Sequence, residues 1–178
     1  MKSQKQKIKT YENFPLWIVI MSNFLVLLIY IIGAYILYKL WIGFMVLYIL
    51  YCIKIEKRVL RKSCVNCYYY RKVCCFGKGK LCALLFKKGN PSEFCKRKIS
   101  WHHLLPDFLV SVFPIIGGII LLTERFEWSI LILMIIIALL SSVGNAFIRG
   151  NFACKYCKQR VLGCPAEKLF NKKAKKKK

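Results

Sequence analysis

Acidic side chains are scarce in this chain: seven Asp and Glu stand against 31 Lys and Arg, and there are two histidines. The sequence contains no Ser/His/Asp set, no paired catalytic carboxylates and no His-Glu-x2-His pattern, so hydrolytic chemistry is disfavoured. Phe76-Gly77-Lys78-Gly79-Lys80 lacks the spacing of a phosphate-binding loop and reads as a tight turn between cysteines. Charge itself is missing from four stretches, Asn13 to Tyr38, Leu40 to Ile53, Phe108 to Leu122 and Trp128 to Ile148. Roughly 20 apolar residues of helix cross a bilayer core, so these runs point to a membrane protein rather than a soluble core.

The chain is 57% hydrophobic and carries a formal charge of +24, two properties that coexist only when apolar and charged residues are segregated along the sequence. The expected fold is an all-α membrane protein with four transmembrane helices arranged as two hairpins, each followed by a cytoplasmic Cys-rich knuckle. The first apolar block is too long for one crossing and predicts a hairpin over 15–53 with its apex at Gly33-Ala34, giving spans Pro15 to Ile32 and Tyr35 to Ile53, with Lys39 snorkelling. The second hairpin occupies 104–148 and turns at Thr123-Glu124-Arg125-Phe126-Glu127. Segments 1–14, 54–103, 149–170 and 171–178 then read as a basic N-terminus, a first Cys-rich module, a second Cys-rich module and a polybasic tail.

Orientation follows from the basic residues. Residues 1–14 hold four, 54–101 fourteen and 149–178 eleven, whereas the two hairpin loops hold only Lys39 and Arg125. This bias places both termini and both modules in the cytoplasm. The apolar stretch after the basic start is too long for a signal peptide and is followed by no small-residue cleavage site, so it reads as an uncleaved anchor. Ala138, Ser142 and Ala146 predict a small-residue packing stripe on the last span, facing Gly117-Gly118. Pro106 and Pro114 kink or begin the third span, with Pro106 at its entry, and Asp107 reads as a capping carboxylate in its first turn.

The cysteines carry whatever chemistry the chain performs. Cys64-x2-Cys67-x6-Cys74 recurs as Cys154-x2-Cys157-x6-Cys164, each time after an apolar hairpin. A Cys-x2-Cys turn aims two sulfurs at one ion, and each copy supplies a third cysteine at the same offset. In a reducing cytosol a disulfide framework is excluded, which leaves metal binding, reversible thiol redox or inert packing. The first module has further candidate ligands in Cys75, Cys82, Cys95, His102 and His103, while no cysteine or histidine follows Cys164. The halves therefore cannot be identical closed sites. A site shared by Cys64, Cys67, Cys154 and Cys157, an iron–sulfur cluster, or completion by a carboxylate such as Glu167 are the ways out. Zinc or an iron–sulfur cluster is the expected cofactor. Cys52, without a partner at that spacing, reads as a small buried apolar residue.

Lys62, Arg71, Lys72, Lys155, Lys158 and Arg160 can offset thiolate charge, or serve only the positive-inside bias and attract anionic headgroups. Tyr68-Tyr69-Tyr70 reads as an aromatic anchor at the interface. The expected partners are the lipid bilayer with its anionic headgroups and a protein on the cytoplasmic face; nucleic acid is disfavoured, because no aromatic-basic surface accompanies the lysine tail. Three functional classes follow: a metal-binding membrane scaffold or electron-transfer partner, a membrane thiol–disulfide oxidoreductase, and a small transporter.

Overall fold

The computed structural model describes residues 10–96 and 101–165, the side chains of Trp101, His102 and His103 excepted. The basic start, the tail over 171–178, Glu167 and the two histidine rings therefore lie outside the described residues. Among those described, the protein is all helical, without a strand. Helix α1 spans Leu16–Leu40, α2 Ile42–Lys62, α3 Lys78–Leu85, α4 Pro91–Lys96 and α5 Trp101–Glu124. A 26-residue helix, α6, runs over Trp128–Ala153, and α7 over Lys158–Gly163. Three segments, Leu16–Leu40, Leu104–Glu124 and Trp128–Ala153, are long and apolar enough to cross a membrane. Their outward faces carry large uncovered hydrophobics such as Leu16, Ile20, Phe24, Ile132 and Phe147, a surface that suits lipid and not water.

The break in the first apolar block falls at Trp41 and not at Gly33-Ala34. Gly33 lies inside α1, and Trp41 is extended at φ −170°, ψ 141° between the two helices. The physical reason is packing. A Cβ on Gly33 would stand 2.8 Å from the Pro114 ring and equally close to the Tyr48 ring, so glycine serves there as a contact surface for α2 and α5. Helix α2 also continues well beyond Ile53, carrying Lys54, Glu56, Lys57 and Arg58 in helical conformation. Glu56 is engaged on its inner side, receiving a hydrogen bond from the Tyr30 hydroxyl at 2.8 Å and an ion pair from Lys78 at 2.5 Å.

Helix α1 is the hub, packed against α2, α5 and α6, and the core comprises Leu25, Ile29, Leu37, Tyr48, Cys52, Ile55, Val110, Ile137 and Ile148. Pro106 and Pro114 both lie within α5, which begins at Trp101, so Asp107 stands beyond its first turn. Pro114 has no N–H to give the carbonyl four residues earlier, that of Val110. The Tyr48 hydroxyl donates to that carbonyl at 3.0 Å, and Tyr51 does the same for Pro106 at 2.8 Å. Tyr48 of α2 thus restores the bond that Pro114 removes in an apolar setting, and Tyr51 adds a second tie from α2 to α5.

The stripe Ala138, Ser142, Ala146 does not form the packing face. All three are exposed, whereas Ile130, Ile137 and Ile148 are buried and Gly144 meets Leu25 of α1. Two π turns, at Leu140–Gly144 and Arg149–Ala153, shift the phase of α6, so a strict four-residue count along the sequence drifts off the buried side. Gly117 and Gly118 divide between two neighbours, the first against Leu37 and the second against Met134.

Candidate functional site

The two Cys-x2-Cys segments fold alike. The amide of Cys67 donates to the Cys64 carbonyl at 3.2 Å and that of Tyr70 to Cys67 at 3.1 Å; Cys157 donates to Cys154 at 3.3 Å and Arg160 to Cys157 at 3.1 Å. Equal spacing has become equal backbone turns. Each copy follows the end of a long helix, α2 closing at Lys62 and α6 at Ala153. Beyond the turn they diverge. The first copy bends through Arg71 at φ 66° and Gly77 at φ 67° before entering α3, while the second goes straight into α7 and leaves through Gly163 at φ 115°. Gly77 is the turn residue expected of that glycine-lysine stretch, and Lys78 is already helical.

The two knuckles dock on each other. Tyr69, 2% exposed, accepts a hydrogen bond from the Lys158 amide at 3.0 Å and donates to the Tyr11 carbonyl at 2.6 Å. The Tyr68 amide donates to Gln159 Oε1 at 2.7 Å, and Gln159 is itself buried. Around Phe14, Ile18 and Tyr69 pack Tyr11, Tyr68, Phe152 and Tyr156 together with Cys67, Cys74, Cys75 and Cys157. The three consecutive tyrosines are thus internal fasteners and not lipid anchors: Tyr70 likewise donates to the Phe86 carbonyl at 2.8 Å.

A strap from the N-terminal segment joins the halves. Tyr11 donates its amide to Tyr156 at 3.0 Å and Phe14 to Val73 at 2.9 Å, while Asn13 Oδ1 accepts from the Val73 amide at 3.0 Å. Between them Glu12 receives Lys72 at 3.1 Å from the first knuckle, Lys158 from the second, and the Tyr68 hydroxyl. Glu12→Gln is expected to weaken this clamp by about 1 kcal/mol, since exposed ion pairs are worth a fraction of that each. Faster amide exchange at Tyr156 to Arg160, with exchange in α1 and α5 unchanged, is the corresponding measurement.

All ten cysteines are free thiols. Burial, then the neighbouring thiols of Cys74, Cys82 and Cys67, pushes Cys64 up to about 12. Burial likewise pushes Cys67 up to about 12, with Cys157, Cys74 and Cys164 adding to the rise, and Cys157 up to about 11. Cys75 and Cys82 are raised by the same dominant cause. These groups are protonated at neutral pH and poor nucleophiles. Cys67 therefore feels sulfurs of both halves, as Cys75 feels Cys154 and Cys157.

Among the described residues no three Cys, His, Asp or Glu side chains stand together as a ready ligand set. Cys64, Cys67, Cys74, Cys75, Cys95, Cys157 and Cys164 are half-buried, Cys154 is exposed, and Cys82 is fully buried with its thiol toward the Leu60 carbonyl at 3.6 Å. Cys52 lies in the helix core. Cys95 stands against the second knuckle, its sulfur 3.4 Å from the Leu162 carbonyl and 3.7 Å from Gln159 Nε2. Lys78 opposes the rise at Cys64 and Arg149 that at Cys75, each favouring the thiolate. Lys72 and Lys158 are instead turned to Glu12 and to the Tyr68 ring, at 4.2 and 5.0 Å from its centroid. Glu12, Tyr69 and Gln159 are the organising residues that spacing alone does not reveal; the one available signal was Glu12 itself, an isolated acid in a basic segment. No protein-family model, characterised protein or solved structure matches this chain.

Proposed function

We propose that this is a four-crossing membrane protein, built from two hairpins with both termini inside, whose paired cytoplasmic knuckles bind zinc or an iron–sulfur cluster and present a scaffold or electron-transfer surface to a protein partner. The observation that carries this reading is the docking of two equal Cys-x2-Cys turns from opposite halves into one sulfur-rich, aromatic-walled contact. Cys64, Cys67 and Cys74 serve the first set and Cys154, Cys157 and Cys164 the second. Cys82, which raises the Cys64 thiol, and Cys95, packed against Leu162 and Gly163, supplement these sets, with Cys75, His102 and His103 in reserve. Cys95 answers the missing fourth ligand of the second half, because its sulfur lies 3.6 Å from where a Cβ on Gly163 would be, next to Cys164. Rotation of half-buried cysteine side chains is the rearrangement that ligation requires, and the metal's charge offsets the cost of burying thiolates.

In this arrangement the uncharged stretch of α2 from Ile42 to Ile53 covers about 18 Å, and the helix completes its crossing through Lys54, Glu56 and Arg58, the basic side chains snorkelling to the inner boundary and Glu56 engaged by Tyr30 and Lys78. The basic residues of the inner face meet anionic headgroups. The raised thiol pKa values disfavour thiol–disulfide exchange, which needs a thiolate near neutral pH; ligation needs the thiolate too, but there the bound cation itself offsets the buried charge.

Anaerobic purification with elemental analysis and an absorption spectrum tests the proposal. Bound zinc without visible absorption supports a structural site, and iron with sulfide and a broad visible band supports a cluster. A metal-free protein whose thiols cycle reversibly near the glutathione potential overturns it in favour of an oxidoreductase. Labelling of Cys95 or Cys154 by an impermeant reagent from outside intact, metal-stripped cells overturns the orientation.

A further inference from the structure

At the end of the bundle away from the cysteines, a cavity of about 380 Å³ is lined by Lys39, Leu121, Glu124, Arg125, Glu127 and Ile130. Lys39 comes from the last turn of α1, Glu124 ends α5, and Arg125 and Glu127 lie in the connection from there to α6. They are all the charges of both connections at this end, and every one of them lines the cavity. Two are positive and two negative, so the site is neutral overall. Exposed ion pairs contribute little each, so pairing among these four charges competes little with a ligand that pairs with them. No ion pair forms among the four: Lys39 stands 6.0 Å from the Tyr35 ring centroid, and the Glu127 carboxylate accepts a long hydrogen bond from the Ser129 hydroxyl at 3.5 Å. The four charges border one space, which Leu121 and the 2% exposed Ile130 complete. The volume falls within the usual range for a small-molecule site.

We propose that this cavity binds a small zwitterion, a molecule with a primary ammonium and an anionic oxygen group a few ångströms apart. The ammonium is taken by Glu124 and Glu127, the anionic group by Arg125 and Lys39. Arginine suits that role because its planar fork meets a carboxylate or phosphate with two parallel hydrogen bonds. A free amino acid and an ethanolamine phosphate headgroup share this chemistry. Trp41 and Trp128, in edge contact with Phe44 and Phe126 respectively, flank the two connections, as aromatic residues do at a membrane–water interface. Because Lys39 belongs to one half of the chain and the other charges to the second, the ligand would also tie the halves together at this end. Nothing in the argument depends on the knuckles binding metal.

The test uses the full chain in phosphatidylcholine nanodiscs, titrated calorimetrically with glycine and with O-phosphoethanolamine, with phosphocholine as the control that lacks a primary ammonium. Mass spectrometry of lipid retained on purification from a mixed membrane is the second arm. Saturable glycine binding assigns a free amino acid; binding of O-phosphoethanolamine together with enrichment of phosphatidylethanolamine assigns a headgroup. Arg125→Gln and Glu127→Gln are each expected to lower affinity about tenfold while thermal unfolding is unchanged, the loss expected for one charge-assisted hydrogen bond. Lys39→Gln, on the other half, gives the same reading if either of those variants fails to fold. Absence of heat with both probes at millimolar concentration and no lipid enrichment, or binding that the three variants leave intact, overturns the proposal.

Discussion

Gly79→Ala is expected to dismantle the first knuckle. A Cβ at this position would overlap the carbonyl oxygens of Tyr69 and Lys72, which are backbone atoms with no rotamer through which to escape. Gly79 also accepts the Arg71 amide at 3.1 Å, the bond that supports Arg71 in its left-handed conformation. The added methyl must therefore push α3 off the loop or open the turn, and overpacking alone costs about 1–3 kcal/mol, more when backbone has to move. Because Tyr69 is the platform on which Lys158 and Tyr11 are bonded, the damage should reach the second half. Amide exchange is expected to rise by orders of magnitude over 64–86 and over 154–164, while the core amides of α1 and α5 keep their protection. Gly150→Ala is the control, since a Cβ there meets nothing within 4 Å. Unchanged protection in Gly79→Ala would show that the two segments are not one packed unit.

The parts of this fold legible in the sequence are those governed by continuous properties of a window. Uncharged runs gave the apolar helices at Leu16–Leu40, Leu104–Glu124 and Trp128–Ala153, because apolarity over about 20 residues is a bulk property that local detail does not reverse. Single-residue signals fared differently. Gly33 looked like a turn, yet in an apolar helix a glycine more often admits a neighbour, here Tyr48 and Pro114. Trp41, an interfacial residue by type, marks the break instead. The stripe at Ala138, Ser142 and Ala146 failed because its phase assumed an unbroken α-helix, and two π turns intervene. The paired cysteine turns were readable from spacing, since residues three apart define the same local hydrogen bond wherever they occur. Their docking was not, because Glu12, Tyr69 and Gln159 act across separations of 56 to 146 residues, and nothing local marks an acid or an amide as a long-range partner.

Across the docked halves, the sharpest expectation concerns Cys67 and Cys157. Cys157 raises the pKa of Cys67, and both thiols feel Cys164, so the two sit where a ligand set drawn from both halves would begin. If Cys67, Cys157, Cys164 and Cys95 close round one ion, then Cys67→Ser and Cys157→Ser should each empty that site, and the double variant should lose no more metal than either single one. Non-additivity of this kind marks residues acting as one unit. Where a second ion is held by Cys64, Cys74 and Cys82, about half the metal would survive all three variants, since a tetrahedral thiolate site missing one sulfur does not compensate for its neighbour. Losses that add from one single variant to the other would assign each half its own ion, and Cys95→Ser would then decide between them: metal lost from the second half places Cys95 as its fourth ligand, and metal lost from the first returns it to the chain segment from which it comes.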